Sequence, residues 1–182
     1  MRWLTRRWLL LGLPALLLAW SGLLPLGPAG RALAQTARPD FAQTDIFLTD
    51  ADGRPHKIRA ELARTPAQRR YGLMFKADMA EDEGMLFVFH SDSLRVFWMR
   101  DTPLWLDLLF FTKDGQLVHL IEWAEPLNDR PLSSLMPVRY VLELRAGSAA
   151  RLGLGPGTRL RIPPDRWRGP AREDEQKADK NS

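Results

Sequence analysis

Apolar positions crowd the middle of the chain, and the densest stretch runs from Gly84 to Phe111, GMLFVFHSDSLRVFWMRDTPLWLDLLFF. Two strand-like runs, Met85 to Phe89 and Leu104 to Phe111, flank a third, Leu94 to Met99. On either side the pattern changes to alternation of period two, which marks strands with one buried face. Ile58, Ala60 and Leu62 alternate with Lys57, Arg59 and Glu61 in the run His56 to Ala63. An Asp52-Gly53 turn joins that run to Thr44 to Thr49 and predicts a hairpin. Lys113-Asp114-Gly115 likewise pairs Leu104 to Phe111 with Leu117 to Trp123. Arg139 to Arg145 alternates again, with Tyr140, Leu142 and Leu144 expected inward and Val141, Glu143 and Arg145 expected in solvent. Thr158 to Ile162 reads as a closing strand.

Helical signals are few. Thr65-Pro66 supplies an N-cap and a proline at the first helical position, so a short helix is predicted over Ala67 to Tyr71, ended by Gly72. Ala146 to Leu152 predicts one or two turns stopped by Gly153. Between the strands, Ala124 to Pro137 carries Pro126, Pro131 and Pro137 and is expected to be an irregular surface loop, of a length that points to function. The predicted class is α+β: a single small β-rich domain over 44–162, with an antiparallel, partly barrel-like sheet and one or two short helices. Residues 35–43 are expected to be a linker and 163–182 a disordered polar tail.

The first 34 residues have a different character. Arg2, Arg6 and Arg7 precede an apolar run from Trp8 to Leu26, and Ala32-Leu33-Ala34 supplies small residues before Gln35. That is the layout of a secretory signal peptide, and it predicts export with cleavage after Ala34, giving a periplasmic or secreted protein. A retained anchor is the competing reading, since a run of 19 apolar-rich residues can span a bilayer. Membrane contact is expected only through such an uncleaved leader. Thr5 to Leu10 also resembles a twin-arginine signal.

Charge follows the same division. The formal net charge is +4, and four of the 26 basic residues (Arg2, Arg6, Arg7, Arg31) lie in the leader without any acid, leaving 22 basic against 22 acidic residues. A neutral domain gives no electrostatic footprint for nucleic acid, and no nucleic-acid partner is expected. There are no cysteines, which excludes disulfides, thiolate metal sites and a cysteine nucleophile. His56, His90 and His119 stand apart with no HExxH or His-x-His pair, and Met74, Met85 and Met99 lack histidine partners, so no metal site is expected. No G-x-S-x-G run occurs, and Gly153, Gly155 and Gly157 are interrupted by Pro156. No cofactor is called for.

Candidate chemistry is confined to charges inside the apolar stretch. Asp107 shares its strand face with Trp105, Leu109 and Phe111, so its carboxylate must be paired, hydrogen-bonded or protonated. It reads either as an acid, base or ligand-binding group, or as a structural acceptor. Arg100 and Asp101 sit at a strand end before Thr102-Pro103, where an arginine fork could clamp a carboxylate or phosphate, or form a local ion pair. Trp98, Trp105 and Trp123 could form an aromatic platform or simply pack in the core.

The order of Gly72-Leu73-Met74-Phe75-Lys76, Glu81 to Phe87, Phe97-Trp98-Met99-Arg100-Asp101-Thr102, Leu106-Asp107 and Tyr140 to Leu144 with Gly147 resembles the prokaryotic family domain of unknown function 192. The resemblance spans about Thr44 to Ile162 and implies a small β-rich α+β domain, often exported, without implying an activity. Asp101, Trp105 and Arg145 depart from its usual asparagine, proline and asparagine. Two functions remain. One is a non-catalytic cell-envelope module that binds a small ligand, glycan or peptide in a cleft of Trp98, Trp105 and the 124–137 loop, with Arg100, Asp101 and Asp107 as further contacts. The other is a small periplasmic hydrolase or lyase using Asp107 with Glu143 or Asp101 as a carboxylate pair. The pattern does not decide the oligomeric state.

Overall fold

The computed structural model describes residues 37–164. The leader, its cleavage site and most of the predicted tail lie outside the described residues. Strands β1 (Gln43–Thr49) and β2 (Pro55–Ala63) form the first predicted hairpin, closed by the Gly53 N–H donating to the Asp50 carbonyl. Helix α1 (Pro66–Tyr71) starts with a full capping box. The Thr65 hydroxyl accepts from the Gln68 N–H, and the Gln68 side chain accepts from the Thr65 N–H.

The chain continues through β3 (Glu83–Ser93), β4 (Val96–Phe97), β5 (Leu106–Phe111), β6 (Leu117–Ala124), β7 (Leu132–Ser133), β8 (Val138–Arg145), α2 (Ser148–Arg151) and β9 (Arg159–Arg161). Seven strands form one sheet in the order β6-β5-β8-β3-β2-β1-β9, and β4 and β7 form a separate ribbon. The sheet is mixed rather than antiparallel throughout, because β2 and β3 run parallel. Tight turns enforce antiparallel neighbours, but the long α1-containing link from β2 to β3 carries the chain back to the same end, as a parallel pair requires.

Three further expectations are corrected. The 124–137 segment is not wholly irregular, since β7 lies within it and pairs with β4. Residues 37–42 do not hang free as a linker. Phe41 is buried in the core, and the Ala42 carbonyl accepts from the Leu62 N–H. Val141 and Glu143 are not in solvent but buried, because the sheet is covered on both faces.

One face of the sheet carries Ile46, Leu48, Ile58, Leu62, Leu109, Phe111, Leu142 and Leu144, with Ala149 of α2 and Leu154 packed on them. The opposite face carries Met85, Phe87, Leu106, Leu108, Phe110 and Val141, covered by Leu73, Met79 and Met99 from the connecting segments. All six residues of β5 are therefore buried. Phe97 fixes the β4–β7 ribbon on the second face, its ring meeting those of Phe87 and Phe110 edge-on at 5.0 and 6.1 Å.

The sheet curls into a half-barrel whose two edges meet at one end. Gln116, entering β6, bridges Arg159 of β9. The Leu160 N–H donates to the Gly115 carbonyl at 2.7 Å, and the Leu117 N–H donates to the Thr158 carbonyl at 3.0 Å. Gly115 makes the approach possible. Its φ is +76°, and a Cβ there would lie 2.2 Å from the Leu160 carbonyl oxygen.

Candidate functional site

The covering of the second face is incomplete, and the gap is a cleft of about 510 Å³. The C-terminal end of α1 and the turn after it, Arg69 to Met74, form one wall; residues 94–98 form the other. Phe87 and Phe89 of β3 lie between them, and Thr102 and Glu143 also line the space. Most of the lining is aromatic or aliphatic, with arginines Arg69, Arg70, Arg95 and Arg100 among it. A concave, largely apolar site of a few hundred Å³ with few polar groups has the dimensions of a small-molecule pocket.

Glu143 is the unusual group. In β8 it lies opposite Met85 of β3 and Leu108 of β5, apolar residues on both sides. It is 5% exposed, and no hydrogen bond or ion pair from any described residue reaches its carboxyl. Burial, with no cation to offset it, pushes its pKa up to about 8. A carboxyl in that state is largely protonated near neutral pH and can donate a hydrogen bond, or ionise when a partner arrives. The alternation of β8 gave Glu143 to the outer face. What that pattern could not show is that distant segments roof the face over.

Asp107 is also buried, but its oxygens are occupied. Oδ1 accepts from the Trp123 N–H at 3.1 Å and Oδ2 from the Ala149 N–H at 2.9 Å. The carboxylate thus ties β5 to the end of β6 and to α2, on the first face of the sheet. Pairing sets Asp107 opposite Leu144 and Leu108 opposite Glu143. Successive side chains of a strand point to opposite faces, so Asp107 and Glu143 lie on opposite sides of the sheet. They cannot act as an acid and base on one substrate.

The remaining sequence candidates divide. Trp98 and Arg100 line the cleft; Asp101, Trp105 and Asp107 do not. Arg100 pairs with Asp129 of the 124–137 segment at 3.0 Å, rather than with Asp101 or Asp107, and that carboxylate holds its pKa above the ordinary value. Its guanidinium also lies 5.6 Å from the Trp98 ring centre. Asp101 is exposed and in the left-handed region at φ +53°, where its carbonyl accepts from the Phe75 N–H at 2.7 Å. Aspartate and asparagine both tolerate that conformation, so this departure from the family pattern leaves the turn intact. Trp105 meets Trp123 edge-on at 6.4 Å, and both are about half exposed, outside the core and outside the cleft.

Among the described residues no group of three His, Asp or Glu side chains is arranged to hold a metal ion. His56 bonds to Asp50, and His119 stacks on Phe110. Met85 and Met99 are buried in the core, and Met74 lines the cleft.

Solved structures that resemble this one include the following two. A protein of Sinorhizobium meliloti 1021, described as a "putative transcription regulator", matches with TM-score 0.66 and 43% identity over 68% of this chain and 95% of its own. A protein of unknown function from Novosphingobium aromaticivorans DSM 12444 matches with TM-score 0.64 and 33% identity over 72% of this chain and 98% of its own. No curated protein matches. The family model described as an uncharacterized ACR matches residues 47–162, and the chain belongs to that family, domain of unknown function 192.

Proposed function

We propose that this chain is an exported protein of the cell envelope, a non-catalytic module that binds a small ligand in the cleft over Glu143. The carrying observation is the Glu143 carboxyl, buried without a partner and lining an aromatic-walled cleft. In the empty protein this carboxyl has no partner among the described residues and faces the cleft, and a ligand that supplies a partner there gains a hydrogen bond or ion pair on binding. The leader sequence supports export. A carboxylate-pair hydrolase or lyase needs a second acid near the first, and among the described residues Glu143 is the one carboxyl lining the cleft.

The regulator description of the Sinorhizobium relative does not transfer readily. The helices among the described residues run six and four residues, short for insertion into a DNA groove, and the domain after the leader is neutral. A thermal-shift screen of small carboxylates, amines, glycans and short peptides on the processed protein tests the proposal. At least one class should raise the melting temperature of wild type and lose that effect in Trp98→Ala. Shifts that are equal in the two proteins would remove the cleft from consideration.

A further inference from the structure

Among the described residues no carboxylate other than Glu143 lines the cleft; its remaining titratable groups are the Tyr71 phenol and the guanidinium groups of Arg69, Arg70, Arg95 and Arg100. None of these reaches Glu143. Arg100 is held by Asp129, Arg95 lies 3.9 Å over the Phe89 ring centre and donates to the Ser91 carbonyl, and Arg69 donates to the Val88 carbonyl. Arg70 is exposed and makes no ion pair among the described residues. The rings of Phe87, Phe97 and Trp98 line the same cleft.

This layout selects a charge pattern. A cation completes Glu143, since an ionised buried carboxylate needs an opposite charge in contact, and aromatic faces attract an ammonium that leaves water. A ligand with positive charge alone would be opposed by four arginines, whereas a ligand with an anion at its other end is attracted by them. We propose that the cleft binds a small zwitterion with a flat or apolar body, its ammonium against the Glu143 carboxyl and its anionic group toward Arg70. This assignment rests on the binding role proposed above. Binding ionises Glu143. The O–H bond of its carboxyl breaks, the proton passes to solvent, and the carboxylate pairs with the ligand ammonium. With burial holding the empty-state pKa at about 8, roughly 0.9 proton should be released per ligand near pH 7. A ligand that instead presents a carbonyl or anion to Glu143 would keep that proton in place.

Isothermal titration calorimetry on the processed, full-length protein near pH 7, in two buffers of different ionisation enthalpy, tests the assignment. The probes are para-(aminomethyl)benzoate and ε-aminocaproate, with benzylamine and para-toluate as single-charge controls. At least one zwitterion should bind tenfold or more tighter than either control and release close to one proton. Glu143→Gln should abolish the release and the preference over para-toluate. Arg70→Gln should weaken the zwitterion while leaving benzylamine no weaker, since one opposing charge is removed. Toluate binding as tightly as the zwitterions, or proton uptake on binding, overturns the zwitterion assignment; if Trp98→Ala weakens that same binding, the cleft remains a binding site. Absence of binding by all four compounds also overturns the assignment, and the thermal-shift screen then decides the broader role separately.

Discussion

Replacing Glu143 by glutamine keeps the shape of the side chain and removes its titration, which isolates the energetic consequence of burying this carboxyl. In the unfolded chain the group titrates near 4.5; burial raises it to about 8 in the folded protein. The folded state therefore holds a proton that the unfolded state has released at any pH between those values. The stabilising contribution is complete below the unfolded value and is lost as pH rises through the folded one. At about 1.4 kcal/mol per unit, a gap of some 3.5 units amounts to roughly 5 kcal/mol between pH 4.5 and 8. Glutamine has no such slope. Glu143→Gln should match wild type within about 1 kcal/mol near pH 5 and exceed it by about 3 to 5 kcal/mol at pH 9. Urea unfolding followed by tryptophan fluorescence across that range reads the difference, and titration of all other groups cancels between the two proteins. A stability difference that stays flat with pH would refute the reasoning, because it would mean that Glu143 is paired or hydrated in the folded state.

Asp107→Asn should destabilise by about 1 to 3 kcal/mol, because an amide N–H₂ would face one of the backbone donors at Trp123 or Ala149; a melt equal to or above wild type would contradict the structural role. Gly115→Ala should destabilise by about 2 kcal/mol or more, through left-handed backbone strain and the clash with the Leu160 carbonyl, and hydrogen exchange should show loss of protection at Leu160 and Leu117. The mature protein should begin at Gln35 in periplasmic or secreted fractions, as read by intact-mass spectrometry; an intact leader in alkali-resistant membranes would favour the anchor.

What the sequence made legible was mostly local. The β1–β2 and β5–β6 hairpins rest on turns within a few residues, and the α1 start rests on Thr65, Pro66 and Gln68. Pairings between distant segments left weaker traces. Nothing near Ala63 or Glu83 announces a parallel pair, and two residues of β7 are hidden among prolines. The lining of the cleft was partly visible for the same reason. Trp98 and Arg100 stand out in an apolar stretch, but the Asp129 partner of Arg100 lies 29 positions away. Glu143 looked like a solvated residue because its strand alternates cleanly. A period of two reports that the faces differ, and it cannot tell that a second layer from 73–99 covers the polar one.

The half-barrel also has a consequence for the order in which the chain can fold. Its closing contacts, β1 with β9 and Gly115 with Leu160, use residues from the last strand of the domain. Non-local pairing of this kind is slow to form, since loop closure precedes any gain. During synthesis the edge of β1 stays open until the segment Arg159–Arg161 has emerged from the ribosome. Were the chain exported as proposed above, that delay would keep the domain incomplete, and able to pass an unfolded-chain translocase, until synthesis is nearly done.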